Sequence, residues 1–337
     1  MDCRHHSRGR KRLGANSIVD EYLNLSREDQ RVYCEQAEAR VGLRAASVEK
    51  DFWVTWTIRE LFSLPDWAEH LSFKGGTSLA KAWKLIQRFS EDIDVVIDRR
   101  HLGFGKELSV SQQNKLRSEC SRRINEQLLP ALNARFIELI PEGLSWKLMP
   151  ATPDEDPNQQ TLLFEYPETL SNAATYLRPV VKIEMGARSD TEPSECPIIR
   201  PYLCEIFPDQ LGDGGFAVRT VSARRTFWDK VMILHEERWR PAVKPRKKPM
   251  ARHYYDVWAL ILGGVGDEAL NDREHNVDIH SKSVQHSNEH VQSNAERSAS
   301  QKFGKIRPGQ AHYLGSLRLS QTLRFDCIRY RQDELGL

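Results

Sequence analysis

The feature that most restricts the fold of this chain is an alternation of acidic and apolar residues around positions 92–97. β-Branched residues predict a strand over 93–97, and two carboxylates, Asp92 and Asp94, stand at its start. In a strand, residues two apart point to the same face, so the carboxylates share one face and the apolar residues share the other. Two carboxylates on one face repel each other unless a cation neutralises them. The pattern therefore predicts a half-buried strand with two carboxylates that bind a metal ion.

A glycine turn precedes this acidic strand. A short apolar segment predicts a strand that runs into Gly75 and Gly76, and apolar residues at helical spacing predict a helix over 77–87. The backbone N–H groups at such a junction can hold a phosphate, and Thr77 and Ser78 add hydroxyls there. A glycine pair by itself is typical of a tight turn, and an isolated Asp-x-Asp is typical of a solvated strand face. Their direct succession favours a site for a phosphate and a metal ion.

A further strand, predicted over 179–185, contributes a third acid. Its apolar residues alternate with Lys182 and Glu184, so these two side chains share its polar face. If this strand neighbours the acidic strand in a sheet, Glu184 joins Asp92 and Asp94, and Lys182 contacts a phosphate. Mg²⁺ binds a few carboxylate oxygens and completes its octahedron with water and substrate phosphates. The alternative is an ordinary Lys–Glu pair on an exposed strand face.

Composition and charge restrict the class of protein. The chain has 337 residues, of which 39% are hydrophobic and 28% charged, so it can bury a sizeable core. Its 49 basic and 47 acidic residues nearly cancel, and this balance gives no evidence for a nucleic-acid partner. Six cysteines without a C-x-x-C pair indicate neither a zinc site nor a disulfide framework. No apolar run approaches membrane-spanning length, and we expect a cytoplasmic protein without a membrane partner.

Four regions are predicted along the chain. Residues 1–16 are basic and are expected to be disordered, and residues 17–222 are expected to form the core with N-terminal helices. Residues 223–265 are expected to form a helical domain that completes the active site. From 266 to 337 the chain carries a polar insertion and a tail whose fold the sequence does not define. The predicted class is mixed α/β, with a core sheet flanked by helices and a helical C-terminal part.

Several stretches together resemble the AbiEii/AbiGii toxin family of nucleotidyltransferases, a branch of the DNA-polymerase-β-like superfamily. The resemblance spans about 48–262 in order, and its most specific part is the glycine turn followed by the acidic strand. The stretches that carry it are VEKDFWVTW (48–56), FKGGTSLAKAWKLIQRFSEDIDVVI (73–97), VVKIEMG (180–186), RRTFWDKVMILHE (224–236) and RHYYDVWAL (252–260). The resemblance implies a nucleotidyltransferase-like core sheet.

The resemblance also implies roles for particular residues. The glycine turn and acidic strand of such enzymes bind a nucleoside triphosphate and metal, and the third acid of the superfamily maps to Glu184. A lysine and an aspartate on later helices map to Lys230 and Asp256. The expected metal is Mg²⁺, or alternatively Mn²⁺, and its expected ligands are Asp92, Asp94 and Glu184. The residues expected to contact the nucleotide are Lys74, Gly75, Gly76, Thr77, Ser78, Lys182 and Lys230.

The residues themselves offer some support for Lys230. On a helical wheel it falls between Ile233 and Leu234, on an apolar stripe. A lysine there must reach outward, find an anion or lose its charge, and a triphosphate would be a suitable anion. Reaching outward into solvent is an equal alternative. Asp256 is expected to orient the acceptor or Lys230, or else to pair locally with Arg252.

These expectations describe a nucleotidyltransferase that moves a nucleoside monophosphate from a nucleoside triphosphate to an acceptor hydroxyl. The resemblance implies the toxin of a toxin–antitoxin or phage abortive-infection system, opposed by a separate antitoxin protein. It favours an RNA or tRNA 3′ end as acceptor, and a basic cluster over 244–248 either contacts RNA phosphates or forms a solvated loop. The alternatives are a transferase that acts on a small molecule or a protein, and a non-catalytic regulatory protein that retains the fold.

Overall fold

The computed structural model describes residues 20–105, 108–170, 178–238 and 250–271. These residues divide into two compact units, an N-terminal unit up to Ser222 and a C-terminal unit from Ala223 onward. The predictions for 1–16, for the basic cluster over 244–248 and for most of 266–337 lie outside the described residues.

The N-terminal unit begins with helices α1 (Asp20–Asn24), α2 (Arg27–Val41) and α3 (Ala45–Leu61). The Ser26 hydroxyl caps α2 by accepting a hydrogen bond from the Asp29 amide, and Gly42 ends the helix in the left-handed conformation. Helix α3 is buried on nearly all sides, with Trp53 and Trp56 in its centre. Both tryptophans pack against Phe164 of the sheet, so α3 is the central helix of the core.

A seven-stranded mixed sheet forms the middle of this unit. Its strands are β1 (Leu71–Lys74), β2 (Asp92–Ile97), β3 (Lys147–Pro150), β4 (Thr161–Glu165), β5 (Val180–Gly186), β6 (Ser194–Glu195) and β9 (Thr220–Val221). They lie in the order β3-β4-β5-β2-β1-β9-β6, with β2 parallel to β5 and antiparallel to β1, and with β1 parallel to β9. A separate two-stranded sheet pairs β7 (Ile198–Ile199) with β8 (Phe216–Ala217).

The two faces of the seven-stranded sheet differ in polarity. Apolar residues at alternate positions of β1, β2 and β5, among them Phe73, Ile93 and Ile183, are fully buried in the core that contains α3. The intervening positions carry Lys74, Asp94 and other charged residues on the opposite face, because successive side chains in a strand alternate. The predicted mixed α/β class, with a central sheet flanked by helices, is confirmed.

Further helices of this unit are α4 (Gly75–Lys81), α5 (Val110–Arg123), α6 (Leu129–Leu139), α7 (Tyr202–Ile206) and α8 (Pro208–Leu211). A 3₁₀ turn covers Ala68–His70, and a π-helical turn, Ile124–Leu128, joins α5 to α6. Helix α5 begins at Val110 after a capping box formed by Ser109 and Gln112, and the π-helical turn separates it from α6.

The predicted helix over 77–87 is too long, because α4 ends at Lys81. Beyond the end of α4, Trp83 donates its indole N–H to the Val221 carbonyl at 3.2 Å. Lys84 adopts a positive φ of 53°, which an α-helix does not contain. The apolar spacing that predicted the longer helix is real, since Leu79 and Ile86 are both buried. Tertiary contacts end the helix where the local pattern would continue it.

The cysteines differ in state. Cys34, Cys120 and Cys204 are free and buried, and burial raises the pKa of each thiol, to about 12, about 12 and about 11. They are therefore protonated, unreactive core residues at neutral pH. Cys196, by contrast, is disulfide-bonded, which the spacing of the cysteines does not predict. Among the described residues, none of the helices is long and apolar enough to cross a membrane.

The C-terminal unit contains helices α9 (Ala223–Arg238), α10 (Ala251–Leu262) and α11 (Val265–Asn271) within its described part. These helices bury apolar residues such as Phe227, Leu234 and Leu260. Two charged side chains, Lys230 on α9 and Asp256 on α10, are buried with them.

Candidate functional site

A row of partly exposed polar side chains crosses one face of the seven-stranded sheet. Lys74 on β1 is paired in register with Asp94 on β2, and Asp94 is paired with Glu184 on β5. Asp92 occupies the next row on the same face, where its partner on β5 is Lys182. Adjacent strands lie about 4.8 Å apart, so these residues are close neighbours. The strand pairing on which the prediction for Glu184 depended is therefore present.

Gly75 lets the Asp94 carboxylate lie against the turn between β1 and α4. A Cβ atom added to Gly75 would lie 1.9 Å from Oδ2 of Asp94, and the residue has a φ of +81° that L side chains rarely adopt. Gly76 makes room in the same way for Arg88 and Ser90, since a Cβ atom there would lie 2.6 Å from Arg88 Nη2 and 2.9 Å from Ser90 Oγ. Each glycine thus admits a polar side chain to the turn.

The hydroxyls of Thr77 and Ser78 are directed inward. Both residues are fully buried. Thr77 donates to the Asp92 carbonyl, and Ser78 donates to the Gly75 carbonyl at 2.9 Å. These bonds hold the glycine turn against the start of β2, so in this conformation the two hydroxyls organise the site and do not face a phosphate directly.

Lys182 and Glu184 form an ion pair on β5. The Lys182 ammonium donates to Glu184 Oε1, and both side chains are about one-third exposed. Partial burial disfavours the charged ammonium, but Glu184 and Asp92 outweigh that effect and raise the pKa of Lys182. The local Lys–Glu pair considered above therefore exists, and it occupies one oxygen of the third carboxylate.

The donor chemistry of this face fits a divalent cation, because the sheet places three carboxylates on one side of two adjacent strands. The side chains are not yet arranged as a three-ligand site. Within the described ranges, no group of three or more His, Cys, Asp or Glu residues is placed to hold a metal ion. The metal remains a prediction.

Several residues near this face were not expected from the sequence. The Lys74 ammonium donates to Ser189 Oγ at 3.1 Å, which brings the segment after β5 to the glycine turn. Arg88 and Ser90 line the turn at Gly76, and Lys50 of α3 contacts Glu91 just before the acidic strand. The signal that could have revealed Lys50 is the charged run Glu49-Lys50-Asp51, which stands directly before the apolar part of a predicted helix.

The C-terminal unit holds the other two predicted site residues together. Lys230 Nζ lies 3.0 Å from Asp256 Oδ2, with the lysine side chain 10% exposed and the aspartate fully buried. The ring Nδ1 of His253 lies 3.5 Å from the same ammonium. Of the three outcomes considered for Lys230, the structure shows pairing with an anion, and the protein itself supplies that anion as Asp256.

Comparison with known proteins identifies the family. The chain matches the family described as "Nucleotidyl transferase AbiEii toxin, Type IV TA system" over residues 56–318, which is more than half of its length. The match continues past residue 262, where the stretches that carry the sequence resemblance end.

Among solved structures, MenT4, a nucleotidyltransferase toxin from Mycobacterium tuberculosis H37Rv, is 17% identical to this chain. The alignment covers 71% of this chain and 72% of that one, with a TM-score of 0.32. No curated protein sequence matches the chain. The family match shows that the chain belongs to the AbiEii nucleotidyltransferase toxins of type IV toxin–antitoxin systems.

Proposed function

We propose that this nucleotidyltransferase toxin moves a nucleoside monophosphate from a nucleoside triphosphate to an acceptor hydroxyl, with Mg²⁺ as cofactor. The observation that carries the proposal is the row of Lys74, Asp94 and Glu184 on three adjacent strands, with the Asp94 carboxylate against Gly75. Acidic ligands for a metal and cations for phosphates are thereby gathered on one face of the sheet.

In this proposal Asp92 and Asp94 hold Mg²⁺ or Mn²⁺, and Glu184 joins them when Lys182 releases its carboxylate. The bound cation would supply charge neutralisation for the phosphates and orientation for the acceptor oxygen. Lys74 and Lys182, which flank the carboxylates in register, are proposed to contact a phosphate at the glycine turn, and Arg88 lines the same turn. The turn itself keeps Asp94 in place, because any side chain at position 75 would displace it.

Lys230 and Asp256 are assigned to the same reaction on the resemblance in sequence. The ion pair between them supports a role for Asp256 in orienting Lys230, because the fully buried carboxylate has no surface on which to receive an acceptor. Lys230 is then held in one position, as a contact to a triphosphate requires.

We propose an RNA 3′ end, such as that of a tRNA, as the acceptor. This choice is supported by the resemblance to enzymes that modify tRNA, and the toxin–antitoxin family implies a separate antitoxin as a further partner. A small-molecule or protein hydroxyl is the competing acceptor, and a direct assay distinguishes the two.

The assay incubates the protein with each of the four α-labelled nucleoside triphosphates and total RNA, with Mg²⁺ or with a chelator. We expect label in RNA, dependence on Mg²⁺, and a loss of at least ~100-fold in Asp94→Asn, because charge stabilisation at such sites is worth that much. Asp98→Asn is the matched control, since Asp98 follows the same strand but pairs with Arg100. Label that appears only in protein or small molecules would exclude the RNA acceptor, and full activity of Asp94→Asn would refute the proposed site.

A further inference from the structure

Lys50 on α3 joins the starts of the two strands that carry the acidic residues. Its ammonium lies 2.6 Å from Oε2 of Glu91, the residue immediately before β2. The same ammonium donates to the backbone carbonyl of Arg178, just before β5, at 3.1 Å. Strands β2 and β5 are parallel neighbours, so one side chain binds both of them at the same end.

The Lys50 side chain is only 5% exposed, whereas that of Glu91 is 37% exposed. An ammonium buried to this extent costs free energy unless its partners stay in place. A buried ion pair is nevertheless a weak source of net stability, since apolar residues of similar size often do as well. What such a pair supplies is a defined geometry, here between Glu91 and the backbone before β5.

That geometry affects the face of the sheet that carries Asp94 and Glu184. Asp92 follows Glu91 directly, and Asp94 faces Glu184 across the β2–β5 register. A small shift of one strand relative to the other would change the separation of these two carboxylates. Two carboxylates on neighbouring strands can share a cation only at a suitable separation.

We propose that Lys50 is a positioning residue for the carboxylate site, and that it acts through Glu91 and the Arg178 carbonyl by holding β2 and β5 in register. This inference rests on the proposed function, since it requires Asp94 and Glu184 to serve a common cation. Lys50 itself is buried on α3, and its described contacts are with Glu91 and the Arg178 carbonyl.

The test compares Lys50→Met, Glu91→Gln and their double variant in the full-length protein. The readouts are the Mg²⁺ concentration that gives half-maximal transfer, and the binding of Mn²⁺ without nucleotide, followed by its electron paramagnetic resonance signal. We expect Lys50→Met to weaken both by about tenfold, as outer-shell changes at metal sites do. A loss of folded protein alone would lower the maximal rate but would leave the half-saturating concentration unchanged.

Arg135→Met is the matched control. Arg135 pairs with Glu60 at the other end of α3, at 2.9 Å, and it has no contact with the starts of β2 and β5 among those described. Its loss should lower the melting temperature without changing metal binding. If it weakens metal binding as much as Lys50→Met does, the effect is general destabilisation and the inference is wrong.

Two other outcomes separate the inference from the function on which it rests. Unchanged metal binding in Lys50→Met, together with an inactive Asp94→Asn, would overturn the positioning role alone. An active Asp94→Asn would overturn the carboxylate site itself. If Lys50→Met does not fold, Glu91→Gln decides, because its half-exposed side chain tolerates the change and it still removes the ion pair.

Discussion

At the scale of single residues, the site depends on positions where the absence of a side chain is the important property. Gly75 combines a positive φ with a space that the Asp94 carboxylate already fills. These two constraints are separate, because the first concerns the backbone at Gly75 and the second concerns the Asp94 side chain. Gly143 has a similar φ of +85° but open space around it, so it isolates the backbone effect.

Gly75→Ala should therefore be both destabilised and inactive. The backbone strain costs about 1–2 kcal/mol, and displacement of Asp94 removes a proposed metal ligand. Gly143→Ala should show a comparable loss of stability with full transfer activity. Urea unfolding and the transfer assay measure the two effects, and retention of activity in Gly75→Ala would show that Asp94 need not rest against the turn.

A second residue, His101, should give the fold a pH dependence. Burial, His70 and Arg123 all lower its pKa below the usual 6.5, although Asp98 and Asp66 oppose the shift. Arg123 Nη2 lies 2.9 Å from His101 Nε2, and since arginine can only donate, this nitrogen must be unprotonated. Because the folded-state pKa is depressed, the contribution of His101 is present above about pH 6.5 and is lost as the pH falls.

We expect the wild-type protein to lose more stability between pH 7.5 and pH 5.5 than His101→Asn does. The free energy of unfolding, measured by urea titration at both pH values, gives the comparison. Equal losses in the two proteins would show that His101 does not titrate differently on folding.

At the scale of elements, α3 connects the core to the glycine turn through charged residues. Asp51, next to Lys50, lies 2.8 Å from the ammonium of Lys81 at the end of α4, and both side chains are 4% exposed. Asp51 also accepts the Tyr202 amide at 2.8 Å, and the Lys81 ammonium lies 3.6 Å above the Tyr202 ring. Burial raises the pKa of Asp51 although Lys81 opposes that shift. Helix α3 thus holds α4, which carries the turn.

Removing one member of this pair should be costly. Asp51→Asn keeps an acceptor for the Tyr202 amide but leaves the Lys81 ammonium buried without its anion, at a cost of about 3–5 kcal/mol. The double variant Asp51→Asn/Lys81→Met should recover much of that loss, because neither of these two buried positions then carries a charge. Arg31→Met, which breaks an exposed pair with Glu28, is the control and should barely change the unfolding midpoint. Additive losses in the double variant would argue against a coupled pair.

At the scale of the whole molecule, the described residues form two compact units that divide between Ser222 and Ala223. Each unit has a buried ion pair of its own, Asp51–Lys81 in the first and Lys230–Asp256 in the second. Compact units with separate cores commonly unfold as separate cooperative transitions.

Calorimetry should therefore resolve two unfolding transitions. Asp256→Asn leaves the Lys230 ammonium without its anion and should lower only the transition temperature of the C-terminal unit. Asp51→Asn should lower only the transition temperature of the N-terminal unit. A single transition that both variants shift equally would show that the two units unfold as one.

The sequence alone determined the local features of the site. Period-two alternation assigned Asp92 and Asp94 to one face of a strand and Lys182 and Glu184 to one face of another, and the structure has both arrangements. The glycine pair predicted the place where the strand ends, and in the structure Gly75 and Gly76 form the first turn of α4 directly after β1. Such features depend on neighbours within a few residues, so a linear pattern is enough to predict them.

Only the tertiary structure decided which of these features meet. Glu184 lies opposite Asp94 because β5 pairs with β2 over a long stretch of intervening chain, and packing of the buried faces sets that register. Packing likewise ended α4 at Lys81 and brought Lys50 to Glu91. Contacts between distant segments follow from burial and charge pairing in three dimensions, which residue spacing along the chain does not encode directly.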